Sequence, residues 1–153
     1  LGRGGAFKLA FGRIPRREEL VIGTNGDIIS NQPLPLVLRA HRSSRAVATI
    51  MLTPLVSPFG IAQVARDGRI RHFDEKPRLP YWVNACLYVL SRPFFDLLPY
   101  LGDHEDTAFP LLAERGQLRA YRSRAYWRAI DTMKDLTEAS KELPILTLEG
   151  VRR

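Results

Sequence analysis

The chain is 153 residues long and 45% hydrophobic, enough to bury one sizeable core, and its 25% charged content is that of a folded globular domain. Its single cysteine, Cys86, excludes an internal disulfide, and no apolar run approaches the ~20 residues of a membrane-spanning helix or forms a signal-peptide core. A net charge of +7 favours an anionic ligand, but the arginines are scattered rather than gathered in one run or helical stripe, which weighs against nucleic acid. A cytoplasmic protein with no nucleic-acid or membrane partner is the expectation.

The sequence opens on Leu1-Gly2-Arg3-Gly4-Gly5-Ala6 and reads as the middle of a longer polypeptide, a fragment or a processed chain. Its glycines, followed by Phe7-Lys8-Leu9-Ala10-Phe11, read as a turn opening a short helix. Backbone N–H groups at such a start can bind an anion or approach a planar base, while a flexible glycine-rich terminus is the alternative. Gly12 and Pro15 end that helix. Leu20-Val21-Ile22-Gly23 is a buried strand that runs into Thr24-Asn25-Gly26-Asp27. In open α/β sheets ligands bind beyond the carboxyl ends of the strands, and a lone aspartate beside a glycine there suits Mg2+. Taken alone, Asn-Gly-Asp is as readily a simple turn.

Pro33 and Pro35 suit a first helical turn, after which Leu36, Val37, Ala40 and His41 recur at helical spacing. Ala46-Val47-Ala48-Thr49-Ile50-Met51-Leu52 is a strand apolar on both faces, so residues 20–52 read as a right-handed βαβ unit. Residues 59–65 and 69–73 alternate around Arg66-Asp67-Gly68 as a hairpin, with His72 on its polar register. Asp74-Glu75-Lys76-Pro77 follows, a solvated charge cluster or a lysine held at a strand end as a point charge for a phosphate.

Residues 83–91 form another buried strand, interrupted by Asn84, whose amide needs hydrogen-bond partners. Two short helices over 93–98 and 107–114 are joined by Asp103-His104-Glu105-Asp106, read as a helix cap rather than a metal site. A strand over 118–121 returns, Tyr126-Trp127 leads to Asp131-Thr132, and a helix spans 133–143. The sequence contains no internal repeat.

Taken together, Asn25-Gly26-Asp27, Phe59-Gly60-Ile61, Glu75-Lys76-Pro77, Asn84-Ala85 before Leu87-Tyr88, and Tyr126-Trp127 before Asp131-Thr132 run in an order that resembles the sugar-1-phosphate nucleotidyltransferases. The resemblance covers about residues 1–143, with 144–153 left as a loose tail. It implies a three-layer Rossmann-like α/β fold with a mixed, mainly parallel sheet, lacking its N-terminal part. It also implies transfer of a nucleotidyl group from an NTP to a sugar 1-phosphate, giving an NDP-sugar and pyrophosphate.

Carried over, Asp27 and Asp131 would hold Mg2+ and Lys76 would take the sugar phosphate. Glu75 and Asn84 would meet sugar hydroxyls, Gly60 would offer backbone, and Gly4 and Gly5 would lie against the nucleobase. Three departures stand out. The family's common Trp-x-Asp-Ile-Gly-Thr ending is shifted, placing Asp131 two positions later, as in glucose-1-phosphate cytidylyltransferases. Its Asn-Ala-Gly reads Asn84-Ala85-Cys86. The glycine-rich signature loop that cradles the triphosphate would precede Leu1. The alternative is a non-catalytic relative that binds a sugar phosphate or a partner subunit as a regulatory module. The base, the sugar and any homo-oligomeric assembly are left open, with a slight lean toward cytidylyl or guanylyl transfer.

Overall fold

The computed structural model describes residues 1–150, with side chains through Leu143. Helix α1 (Gly2–Phe11) is followed by strands β1 (Leu20–Thr24) and β2 (Ile28–Ser30), helix α2 (Leu34–Arg42) and strand β3 (Ala48–Val56). The hairpin strands β4 (Ile61–Val64) and β5 (Ile70–Asp74) lead into the long β6 (Arg78–Ser91). Helices α3 (Arg92–Asp96) and α4 (Ala108–Glu114), strands β7 (Leu118–Arg122) and β8 (Trp127–Ala129), and helix α5 (Met133–Gly150) complete the chain.

The central sheet has the order β1-β6-β3-β7. β6 runs antiparallel to both neighbours while β3 and β7 are parallel, so β1, β3 and β7 share one direction. The expected mixed sheet is therefore found, but β1 and β3 are not adjacent. β6 lies between them, because its apolar run needs a partner on each edge as well as a cover on each face.

Alternation along the strands divides the apolar residues between two covers. On one face Cys86, Tyr88 and Leu90 of β6, with Ala48 and Ile50 of β3, pack against Phe7 and Phe11 of α1, Phe94 and Phe95 of α3, and Phe109 and Leu112 of α4. On the other, Ala85, Leu87 and Val89, with Met51, meet Val37 and Leu38 of α2 and Trp127 of β8. Helices on both faces make the three layers. Under α2 the buried His41 lies 2.8 Å through Nδ1 from Thr49 Oγ1 and 2.9 Å through Nε2 from Ser91 Oγ. Burial, then the charge of Arg42, holds its pKa below the ordinary imidazole value.

The hairpin closes as expected, with Gly68 at φ +85° and Ala65 N–H donating to Arg69 O at 2.8 Å. His72 is exposed and pairs with Asp74 at 2.9 Å. Helix α5 continues past Leu143 to Gly150, so residues 144–150, expected as a loose tail, are helical; residues 151–153 lie outside the described residues. No helix among the described residues is long and apolar enough to cross a membrane.

β6 is bulged where it crosses β3. Ile50 faces Tyr88 and Leu52 faces Asn84, so Ala85, Cys86 and Leu87 stand against Met51 alone. Cys86 takes φ +54° there, a left-handed conformation that normally favours glycine. Asn84 supports it: Oδ1 accepts the Cys86 N–H at 2.9 Å and Nδ2 donates to Tyr88 Oη at 3.0 Å. The two carbonyls at the bulge find different partners, one a side chain outside the sheet and one the next residue of the β1–β6 register. Trp127 Nε1 donates to Ala85 O at 2.9 Å, and Asn25 N–H donates to Cys86 O at 3.2 Å.

Two substitutions test this bulge by thermal unfolding. Cys86→Gly relieves a left-handed residue that costs about 1–2 kcal/mol, against a larger unfolded-state entropy of about 0.5–1 kcal/mol, so stability should hold or rise. A clear fall would mean that packing of the thiol outweighs the backbone. Trp127→Phe leaves the buried Ala85 carbonyl without its donor and should cost about 1–3 kcal/mol.

Candidate active site

The stretches around Asn25, Asn84 and Trp127, far apart in sequence, meet at the β6 bulge. The segments that bring them there are short. β2 and β8 form a two-stranded ribbon with Ile28 opposite Ala129 and Ser30 opposite Trp127. Ile130 N–H donates to Asp27 O at 2.8 Å as the ribbon's last rung, so Asp27 and Asp131 lie at the same end of it. Asp131 follows Ile130, the cross-strand partner of Asp27, by one position, so the backbones of the two aspartates adjoin at that end of the ribbon. Both are exposed, and among the described residues neither carboxylate has a hydrogen-bond or ion-pair partner.

Those unpaired oxygens fit a hard cation. Among the described residues no group of three or more histidine, cysteine or acidic side chains could hold a metal. An ion here would therefore take at most the two carboxylates and fill its shell with water and phosphate oxygens, the habit of Mg2+.

Asp131 lines a cleft of about 760 Å³ that runs between Thr53–Val56 of β3, with Pro58 and Arg78, and the segment from Arg124 to Asp131. Three arginines border it, and their partners distinguish them. Arg128 is committed: its guanidinium lies 2.7 Å from Glu142 and 2.9 Å from Glu138, and Tyr126 Oη donates to the same Glu142 at 2.6 Å. Burial opposes the charge of Arg128, but hydrogen bonds with Glu142, Tyr126 and Glu138 outweigh it and raise its pKa. Arg78 and Arg124 are exposed and have no acidic partner among the described residues. They also border a smaller compartment of about 250 Å³ beside Tyr81 and Trp82. The guanidinium of Arg122 lies 5.4 Å from the Trp82 ring centre.

The remaining expected site residues fall in two further places. Gly60, Glu75 and Lys76 gather at the base of the hairpin. A Cβ on Gly60 would collide with the Phe73 ring and fall 2.9 Å from Glu75 Oε2, so the glycine lets these segments close on each other. Lys76 takes φ +48° and is exposed; Arg78, two residues on, is the cation that lines the cleft. The amide of Asn84 is engaged by Cys86 and Tyr88 rather than open to the cleft.

Gly4 and Gly5 lie buried inside α1, and their N–H groups donate to Gly102 O at 3.0 and 3.3 Å. A Cβ on Gly5 would collide with Tyr100 O. Their missing side chains admit the loop between α3 and α4, and the faces expected to meet a nucleobase are covered by it. Arg78 and Arg124 are the residues that sequence reasoning missed. In so arginine-rich a chain neither stands out, although Arg78 begins the strand that follows Glu75-Lys76-Pro77.

The model of the family described as Nucleotidyl transferase matches residues 2–144. The chain is 36% identical over 126 residues to a probable glucose-1-phosphate cytidylyltransferase of Bacillus subtilis (strain 168), covering 81% of this chain and 49% of that protein. It is 31% identical over 151 residues to a mannose-1-phosphate guanylyltransferase of Mycobacterium tuberculosis, covering 94% of this chain and 42% of that protein. The chain thus spans about half or less of the length of these curated relatives. HddC from Yersinia pseudotuberculosis superposes with a TM-score of 0.65 at 21% identity, over 94% of this chain and 63% of that one, a likeness of fold. With three of its motifs meeting at one bulge and the family model matched over 2–144, the chain belongs to the nucleotidyl transferase family.

Proposed function

We propose that the protein transfers a nucleotidyl group from an NTP to a sugar 1-phosphate, and that this chain forms the sugar-phosphate and metal side of the site. The observation that carries the reading is the unpaired Arg78 and Arg124 lining the same cleft as Asp131, with the family motifs meeting beside it. In the reaction a phosphate oxygen of the sugar 1-phosphate attacks the α-phosphorus of the NTP. The bond from that phosphorus to the bridging oxygen breaks, and pyrophosphate leaves. Such transfers need positioning and charge stabilisation more than covalent work by the protein.

Arg78 and Arg124 hold the sugar phosphate, with Lys76 as a further cation from the hairpin base. Glu75 addresses the sugar hydroxyls and Gly60 offers backbone from the hairpin base, while Asn84, engaged by Cys86 and Tyr88, braces the bulge rather than meeting the sugar. Asp27 and Asp131 would hold Mg2+, which would neutralise charge developing on the transferred phosphate. Similarity to a cytidylyltransferase and a guanylyltransferase, with the shifted Asp131-Thr132 ending, favours CTP or GTP as the donor.

Calorimetry with glucose 1-phosphate, mannose 1-phosphate and the free sugars tests the cleft. Arg124→Ala should weaken binding of the phosphorylated sugar by about 1.5–3 kcal/mol and leave the free sugar unchanged. Equal loss for both would make Arg124 structural and remove the basis of the reading. A kinetic test uses the full-length protein: Asp27→Asn and Asp131→Asn should leave folding intact and abolish Mg2+-dependent pyrophosphate release. Full activity in either variant would take that carboxylate out of the metal site.

A further inference from the structure

The loop between α3 and α4 holds a group that nucleotidyl transfer does not use. His104 is fully buried, at 0% exposure. Its ring centre lies 5.0 Å from that of Phe7 on α1, 5.2 Å from Tyr88 on β6, 6.2 Å from Phe94 on α3 and 4.8 Å from Phe109 on α4. Neither ring nitrogen has a hydrogen-bond partner among the described residues. Glu105 Oε2 comes within 3.2 Å of Nδ1, an ion-pair distance without hydrogen-bond alignment. A buried imidazole left in this way calls for a reason beyond packing, since a phenylalanine would fill the same box without an unsatisfied polar group.

The acidic side chains of this loop grip α1 rather than capping α4 as the sequence suggests; α4 is met by the main chain, where His104 O accepts the Phe109 N–H at 2.9 Å. Asp103 Oδ1 accepts the Arg3 N–H at 2.6 Å. The Arg3 guanidinium lies 3.2 Å from Asp103 and 3.0 Å from Glu105. Gly102 O receives the N–H groups of Gly4 and Gly5, and Lys8 Nζ donates to Leu98 O at 2.6 Å. Thr107, at the N-cap of α4, makes no side-chain cap. His104 therefore sits beneath the contact that joins the loop to α1.

We infer that this contact is an acid-sensitive latch, in which protonation of the buried His104 ring releases residues 98–106 from α1. The inference stands apart from the nucleotidyl-transfer reading. The titratable and charged groups around the ring are Glu105 and Asp103 from its own loop, Arg3 from α1, and Tyr88 with the Cys86 thiol from β6; α3 and α4 contribute only Phe94 and Phe109. Burial is the largest influence on His104 and holds its pKa below the ordinary 6.5, overriding the attraction of Glu105.

The sign follows from linkage. A released ring takes up a proton near 6.5 and the latched ring only at lower pH, so the latch is at full strength above 6.5 and weakens as pH falls below it. Asp103 does not give way in that window. Its hydrogen bonds with Arg3 hold its pKa below the ordinary carboxylate value, so it stays charged.

Amide hydrogen exchange of residues 2–11 and 98–106, corrected for intrinsic rates and followed from about pH 7.5 to about pH 5.5, reads the latch directly. Protection should fall by up to about tenfold per pH unit, while α2 and β3 keep theirs. In His104→Phe the box is filled by another ring, and protection of both segments should no longer depend on pH. The same pH dependence in the variant, or none in the unaltered protein, overturns the inference. Should the variant not fold, the ring's NMR titration decides: a folded-state pKa at or above 6.5 overturns it, and one clearly below supports it.

Discussion

A single left-handed residue in the middle of an extended strand organises the functional end of this molecule. Cys86 at φ +54° turns β6 out of its ladder with β3, and the carbonyls of Ala85 and Cys86 are then received by Trp127 and Asn25. The Ala85 carbonyl is thereby free to anchor β8 through Trp127, while Asn25 continues the β1–β6 register by one residue onto Cys86. The magnitudes allow it. A non-glycine residue in this conformation costs about 1–2 kcal/mol, whereas each hydrogen bond it permits returns about 0.5–1.5 kcal/mol net. The bonds through Asn84, Trp127 and Asn25 together offset the strain.

Much of the fold was legible because its signals are local. The apolar runs of β1, β3 and β6, the Asp67-Gly68 turn and the proline-led α2 each declare themselves within a few residues. Two features depend on distant partners and could not be read in this way. β6 inserts between β1 and β3, a pairing that no short window contains. It also extends back through Pro80, which reads as a strand breaker; β1 pairs only with residues 87–91, so one edge of β6 is free there and the missing amide costs no rung. Three-residue strands such as β2 and β8 are too short to show a period at all.

The site was legible as motifs and opaque as side-chain partners. Asn25, Asn84 and Trp127 were each found, and the structure joins them through main-chain N–H and carbonyl groups of β6, a use that residue identity does not announce. Gly4 and Gly5 show the opposite case: the sequence marks them as special, yet what they meet in the fold is Gly102 and Tyr100. His104 lies in the most acidic stretch of the chain and is nevertheless enclosed by aromatic rings. Only the packing of α1, α3 and α4 against Tyr88 could reveal that.

The net charge of +7 becomes informative once its pairings are known. Arg3 is held by Asp103 and Glu105, Arg69 by Asp67, and Arg128 by Glu138 and Glu142. Beside the bulge the pattern reverses: among the described residues Arg78 and Arg124 are unpaired cations, and Asp27 and Asp131 are unpaired anions. A free phosphate approaching that cleft would gain from the arginines and be repelled by Asp131. A free cation would meet the reverse. All four groups are exposed, so water and salt screen both the gain and the mismatch, and the sign of the charge decides more than its size. On the proposed reading, the ligand whose charge would suit both is a phosphate carrying a divalent ion. Such a cleft favours the two together over either alone, and an NTP with its metal, meeting a sugar 1-phosphate, has that charge pattern.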